Sequence, residues 1–99
     1  MVVNVLDHVQ RCFTNQDGEV IRGIILDAFS NDEKITISFK DIDGVNSSFI
    51  NSALIELLDK YEFDFIKNNL VFVNTTKQIN EMIRSRFSFE VNKKKSIIN

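Results

Sequence analysis

Proline is absent from this chain of 99 residues, cysteine and histidine occur once each, and glycine three times. Without proline there is no rigid linker and no Pro-rich ligand motif, and three glycines leave few hinges. Cys12 has no partner for an intramolecular disulfide, and with His8 it makes only two residues of the kind a structural zinc site needs in fours. No metal or other cofactor is expected. No Gly-rich loop of the Walker or dinucleotide type is present, so the chain has no phosphate cradle of its own. It also lacks an N-terminal signal pattern and any apolar run near about 18 residues, which makes the cytoplasm the expected compartment and excludes a membrane as partner. Neither sign of charge dominates: the formal charge is −2 and the pI about 5.3. A nucleic-acid partner would find no basic field to gather its phosphates.

What is present describes one domain. Hydrophobic residues make up 43% and charged residues 26%, the balance of a soluble chain with a single core. The domain is expected over 1–92, followed by a solvated basic tail, 93–99, that opens with Lys93-Lys94-Lys95. The stretch from Lys34 to Leu58 organises the rest. Ile35-Thr36-Ile37-Ser38-Phe39 alternates apolar and polar residues and reads as a strand. Asp43-Gly44 is a turn pair, with glycine free to take φ > 0. Asn46-Ser47-Ser48 then offers short side-chain oxygens to an opening helix, with a serine as the expected N-cap and Asn46 in reserve. Phe49, Ile50, Ala53, Leu54, Leu57 and Leu58 form one wide apolar stripe of that helix. With Ile55 the stripe looks too wide for one face of a small sheet, leaving part of it as a docking surface.

In chain order, Val2 to Leu6 reads as a first strand, and Asp7 to Phe13 is open between a turn and a second short strand. Thr14-Asn15-Gln16-Asp17 fits a capping box, opening a helix with Val20, Ile21, Ile24, Ile25 and Ala28 on one face. Gly18 and Gly23 weaken that helix by about 1 kcal/mol each, so either the helix begins later than the capping box or a close backbone contact compensates. Tyr61 to Asn69 reads as an irregular connection whose aromatics plug the base of the core. Leu70-Val71-Phe72-Val73 is a continuous apolar run, the pattern of a strand covered on both faces, parallel and adjacent to the strand at Ile35 in one right-handed βαβ unit. Thr75-Thr76-Lys77-Gln78 is a second capping box with Thr75 as N-cap. The helix it opens is expected to end near Arg86, and Phe87, Phe89 and Val91 alternate as a last edge strand.

The strand, Asp43-Gly44-Val45, Ser47-Ser48-Phe49-Ile50-Asn51 and the apolar helix together resemble the STAS-like bacterial domains of unassigned function. The resemblance spans about Thr14 to Phe89, through Gly18-Glu19, Arg22, Val73-Asn74-Thr75-Thr76 and Ile79. It extends more distantly to the anti-sigma factor antagonists, whose STAS domains carry an Asp-Ser-Ser/Thr-Gly turn with a hydroxyl phosphorylated by a partner kinase. Asn46 stands where the antagonists have aspartate, and Phe49 where they have glycine. The resemblance implies an α/β fold with a mixed, mainly parallel sheet of four to five strands and three helices.

It also implies a non-enzymatic regulatory module that binds a partner protein, of the histidine-kinase-type ATPase sort, through the N-terminus of the central helix. The binding residues would be Asp43, Asn46, Ser47, Ser48, Phe49, Asn51 and Ser52, with Ser48, then Ser47, as phosphate acceptor. A homodimer is compatible with this reading. Enzyme chemistry has little support in the residues themselves: His8 has no nucleophile or carboxylate partner in sequence, Cys12 has no neighbouring cations to lower its pKa, and Asp41 and Asp43 read as turn formers. Two other functions stay open, a subunit of a composite enzyme and a small inhibitor of phage or prophage type that blocks a larger protein.

Overall fold

The computed structural model describes the backbone over residues 1–98 and side chains over residues 1–93. Three strands, β1 (Val2–Asn4), β2 (Ile35–Ser38) and β3 (Leu70–Val73), form a parallel sheet in the order β1-β2-β3. Four helices accompany them among the described residues: α1 (Asn15–Ser30), α2 (Ser47–Ala53), α3 (Phe63–Asn69) and α4 (Lys77–Ile98). The α/β class and the parallel pairing of the two predicted neighbours hold, with Ile35 opposite Leu70 and Ser38 opposite Val73. The counts differ from expectation. Three strands replace four to five, all of them parallel, and four helices replace three.

Each difference has a local cause. The alternation at Phe87, Phe89 and Val91 competes with a spacing of four through Ile79, Ile83 and Phe87, all of them buried. The helical spacing prevails and α4 runs past Arg86 to Ile98. Phe89 is left 57% exposed, with the Arg86 guanidinium 5.3 Å from its ring centre. The expected tail at 93–99 falls, apart from Lys93, outside the residues whose side chains are described. The expected irregular connection contains α3, which buries Ile66 and leaves Phe65 outside, stacked on Tyr61 at 4.7 Å and edge-on to Phe29 at 5.2 Å. At the N-terminus β1 stops at Asn4. A 3₁₀ turn, Val5–Asp7, follows, and no second strand forms before α1.

Among the described residues the helices pack on one face of the sheet. Val3, Ile35, Ile37 and Leu70 point into the core, whereas Val2, Val71 and Val73 on the other face are 69%, 52% and 36% exposed. The apolar run of β3 therefore does not signal burial on both sides, and β3 is an edge. Beneath the covered face, α1 and α2 cross closely. Thr14 caps α1, its hydroxyl accepting from the Asp17 N–H at 3.0 Å, and Ile21, Ile25, Ala28 and Phe29 are buried. Val20, expected on that face, is 45% exposed. Gly18 makes the crossing possible: a Cβ there would stand 2.6 Å from the Ser52 Cβ and 2.7 Å from the Phe49 carbonyl oxygen. The close backbone contact that would justify a glycine in a helix is thus present at Gly18, while at Gly23 nothing lies within 4 Å.

The central helix is shorter than its pattern implies. α2 ends at Ala53 and a 3₁₀ turn, Ile55–Asp59, continues the apolar stripe. Ile50, Ile55 and Leu58 are all buried, so the width of the stripe is spent on core and not on docking.

Candidate functional site

The segment Phe39–Asn46 leaves the C-terminal end of the central strand β2 and leads into α2, on the side of the parallel sheet formed by the carboxyl ends of its strands, where α/β folds place their sites. Its reversal does not use glycine in the expected way. Asp41 takes the left-handed conformation, φ 64°, and no glycine has positive φ; aspartate tolerates that region better than most side chains. Gly44 is small for a different reason. The side chain of Gln78 in α4 lies over it, 3.2 Å from where a Cβ would stand.

That glutamine fastens the segment on one side. The Val45 N–H donates to Gln78 Oε1 at 3.0 Å and Gln78 Nε2 donates to the Val45 carbonyl at 2.9 Å. The N-cap of α4 is Thr76 and not Thr75: its hydroxyl accepts from the Ile79 N–H at 3.2 Å and donates to the Asp43 carbonyl at 3.3 Å. Gln78 therefore does not close a capping box, because its amide is committed to Val45. Behind it, Asn74 takes φ 54° just after β3 and donates to the buried Ser38 hydroxyl at 2.8 Å.

Asn46 fastens the segment on the other side, and the expected N-cap is corrected here. The cap of α2 is Asn46, whose Oδ1 accepts from the Phe49 N–H at 3.0 Å; the serines are the first two residues inside the helix. The Asn46 Nδ2 donates to the Phe13 carbonyl at 2.8 Å, and its backbone N–H to the Cys12 carbonyl at 3.3 Å. An aspartate would cap equally well but would have nothing to donate to Phe13.

Of the residues expected to bind a partner, Asp43, Ser47 and Ser48 are exposed and Asn46 is half-buried at the cap. Neither serine hydroxyl makes a hydrogen bond to the rest of the described protein. The others are used internally. Phe49 is fully buried in the core. Asn51 Oδ1 accepts from Arg86 Nε at 2.8 Å. Ser52 is buried and donates to Asn15 Oδ1 at 3.2 Å, while its carbonyl accepts from Arg22 Nη1 at 2.7 Å. Arg22 also reaches Glu56 at 2.7 Å, tying α1 to the turn after α2.

Beside Asp43 lies a cleft of about 240 Å³ lined by Arg11, Cys12, Phe13, Asp41 and Asp43. Cys12 is buried, and that burial, with a smaller contribution from the Asp17 carboxylate, pushes its thiol up to about 12. It stays protonated at neutral pH and is a poor nucleophile. His8 is exposed in the loop before α1, lining a separate cleft with Arg11 and Gln16. Among the described residues, no group of three or more His, Cys, Asp or Glu is placed to hold a metal ion, and no helix is long and apolar enough to cross a membrane.

Sequence reasoning missed the roles of Gln78 and Asn74, whereas Asp41, read as a turn former, does take a left-handed turn conformation. The two left-handed residues carry the Asx signature of such positions. The reach of Gln78 across to Val45 has no local signature.

A one-sided parallel α/β module, with an exposed serine pair on a doubly fastened turn, is the class that these observations define. A family model, the STAS-like domain of unknown function (DUF4325), matches residues 17–80, and the chain belongs to that family. Searches of curated proteins and of solved structures found no match.

Proposed function

We propose that this domain is a non-enzymatic regulatory module that docks a partner protein with the surface formed by Asp43, Ser47 and Ser48. One observation carries the reading. Asn46 does the capping, so the two serines are free of the structural duty that would otherwise account for them. Held by Gln78 and Thr76 on one side and by the Cys12–Phe13 backbone on the other, this surface is fixed before binding, which lowers the ordering cost of association. By the resemblance to anti-sigma factor antagonists, the partner is a histidine-kinase-type ATPase and Ser48 the phosphate acceptor, with Ser47 second. A phosphate adds about −1.5 to −2 charges to a patch that already carries the Asp43 carboxylate, enough to convert binding into release at an acidic or apolar partner surface.

Affinity purification from the native cell, followed by intact-mass analysis of the domain with the recovered ATP-binding protein and ATP, tests the reading. The expected result is one added phosphate that Ser48→Ala abolishes, and a Ser48→Asp variant that keeps its circular dichroism spectrum while losing the partner. Binding of Ser48→Asp at wild-type strength, with no phosphate added, overturns it.

A further inference from the structure

β3 closes the sheet on one side, pairing with β2 alone among the described residues. The phase of that ladder is set by the Phe39 N–H donating to the Val73 carbonyl at 3.0 Å. Val71 and Val73 thus turn their backbone polar groups toward β2, and Leu70 and Phe72 turn theirs outward. The Leu70 N–H is used by the Ile66 carbonyl at the end of α3. The Leu70 carbonyl and the N–H and carbonyl of Phe72 have no protein partner among the described residues. Such an edge is a template for another strand unless it is blunted, and β3, though only four residues long, carries no charge, bulge or proline to blunt it.

An apolar groove of about 270 Å³ runs beside this edge on the covered side of the sheet, lined by Phe63 and Ile66 from α3, Phe72 from β3 and Phe87 from α4. Lys67 and Arg84 also line it. Both are exposed and neither is in an ion pair among the described residues. We infer that this edge and groove accept an extended, acidic and apolar segment of a partner protein as a fourth strand. The free N–H and carbonyl of Phe72 supply main-chain hydrogen bonds, every second side chain of the incoming segment enters the groove, and a carboxylate beside it meets Lys67 and Arg84. A second copy of this chain fits poorly, because a two-fold pairing of β3 edges would bring the same two cations against their own copies.

This site is separate from the serine surface, so either can fail alone. Selection of a random peptide library displayed on phage against the full chain is the first test, and sequences alternating apolar residues with Asp or Glu are expected to be enriched. A synthetic peptide of the enriched sequence should slow hydrogen exchange at the Phe72 amide by about tenfold or more. Its affinity should fall by about tenfold in the Lys67→Glu, Arg84→Glu double variant, whose fold is checked by circular dichroism. Ser48→Asp should bind the peptide like wild type. The inference is overturned if no sequence is enriched, if enriched peptides are basic, if the double variant stays folded and binds unchanged, or if the Phe72 amide is not protected. It is equally overturned if light scattering shows a dimer whose Phe72 amide is already protected without peptide, which makes the occupant a second copy.

Discussion

Where α1 crosses α2 the two backbones nearly touch, and at β3 the backbone faces solvent. The crossing has no room for one methyl group at Gly18 and carries the Arg22 bridge to Ser52 and Glu56. The β3 side leaves Val71 and Val73 exposed and an apolar groove open between α3 and α4. The difference lies in what each backbone meets. Contacts made backbone to backbone are spent on stability, while unpaired strand groups beside an empty groove are available for binding.

The contrast breaks most visibly at Gly18. Gly18→Ala places a methyl against the Phe49 carbonyl and the Ser52 Cβ, and backbone cannot step aside as the end of a flexible side chain would. Overpacking of this kind costs roughly 1 to 3 kcal/mol. Even with alanine's helix propensity offsetting about 1 kcal/mol, a net loss of up to about 2 kcal/mol is expected in urea denaturation. A variant as stable as wild type would show that the crossing is loose.

Asn46 comes next, since it holds the serine turn to both α2 and the loop before α1. Asn46→Ala removes the cap and the bond to Phe13, for a combined cost of about 1.5 kcal/mol. Asn46→Asp is the sharper variant. It keeps the cap and loses only the amide donor, so its midpoint should fall between those of wild type and Asn46→Ala. Ser47→Ala and Ser48→Ala should sit within about 0.5 kcal/mol of wild type, as exposed side chains without partners do. The fastening from α4 is tested by Thr76→Ala, at about 1 kcal/mol, against a near-silent Thr75→Ala.

The parallel neighbours, the Thr14 cap and the position of the exposed serines were legible in the sequence because each rests on local pattern. β-branched alternation marks β2, a hydroxyl three residues before an acid marks α1, and short polar residues mark the turn after Gly44. What was not legible depends on distant contacts. Nothing near Thr75 says that Gln78 will leave the capping box for Val45, a residue 33 positions away. Phe49 reads both as part of the apolar stripe and, through the resemblance, as a binding residue, and its full burial keeps only the first. The run Leu70–Val73 carries no mark that one of its faces will lack a cover. Helix extent beyond Arg86 was misjudged because a period of two and a period of four coincide at Phe87, and only packing on the core separates them.

Gly23 gives the smallest effect, with the opposite sign. It lies near the middle of α1, as Gly18 lies near its start, but a Cβ there meets nothing within 4 Å and the residue is exposed. Alanine should therefore improve helix propensity without a steric cost. A gain of about 0.5 to 1 kcal/mol follows, partly through the unfolded chain, which loses freedom when glycine is replaced. Measured beside Gly18→Ala in the same urea titrations, it separates the intrinsic cost of a helical glycine from the need for one. If Gly23→Ala instead destabilises the domain, the outer face of α1 is not open, and the distinction between a glycine required by close packing and one that α1 merely tolerates fails on that helix.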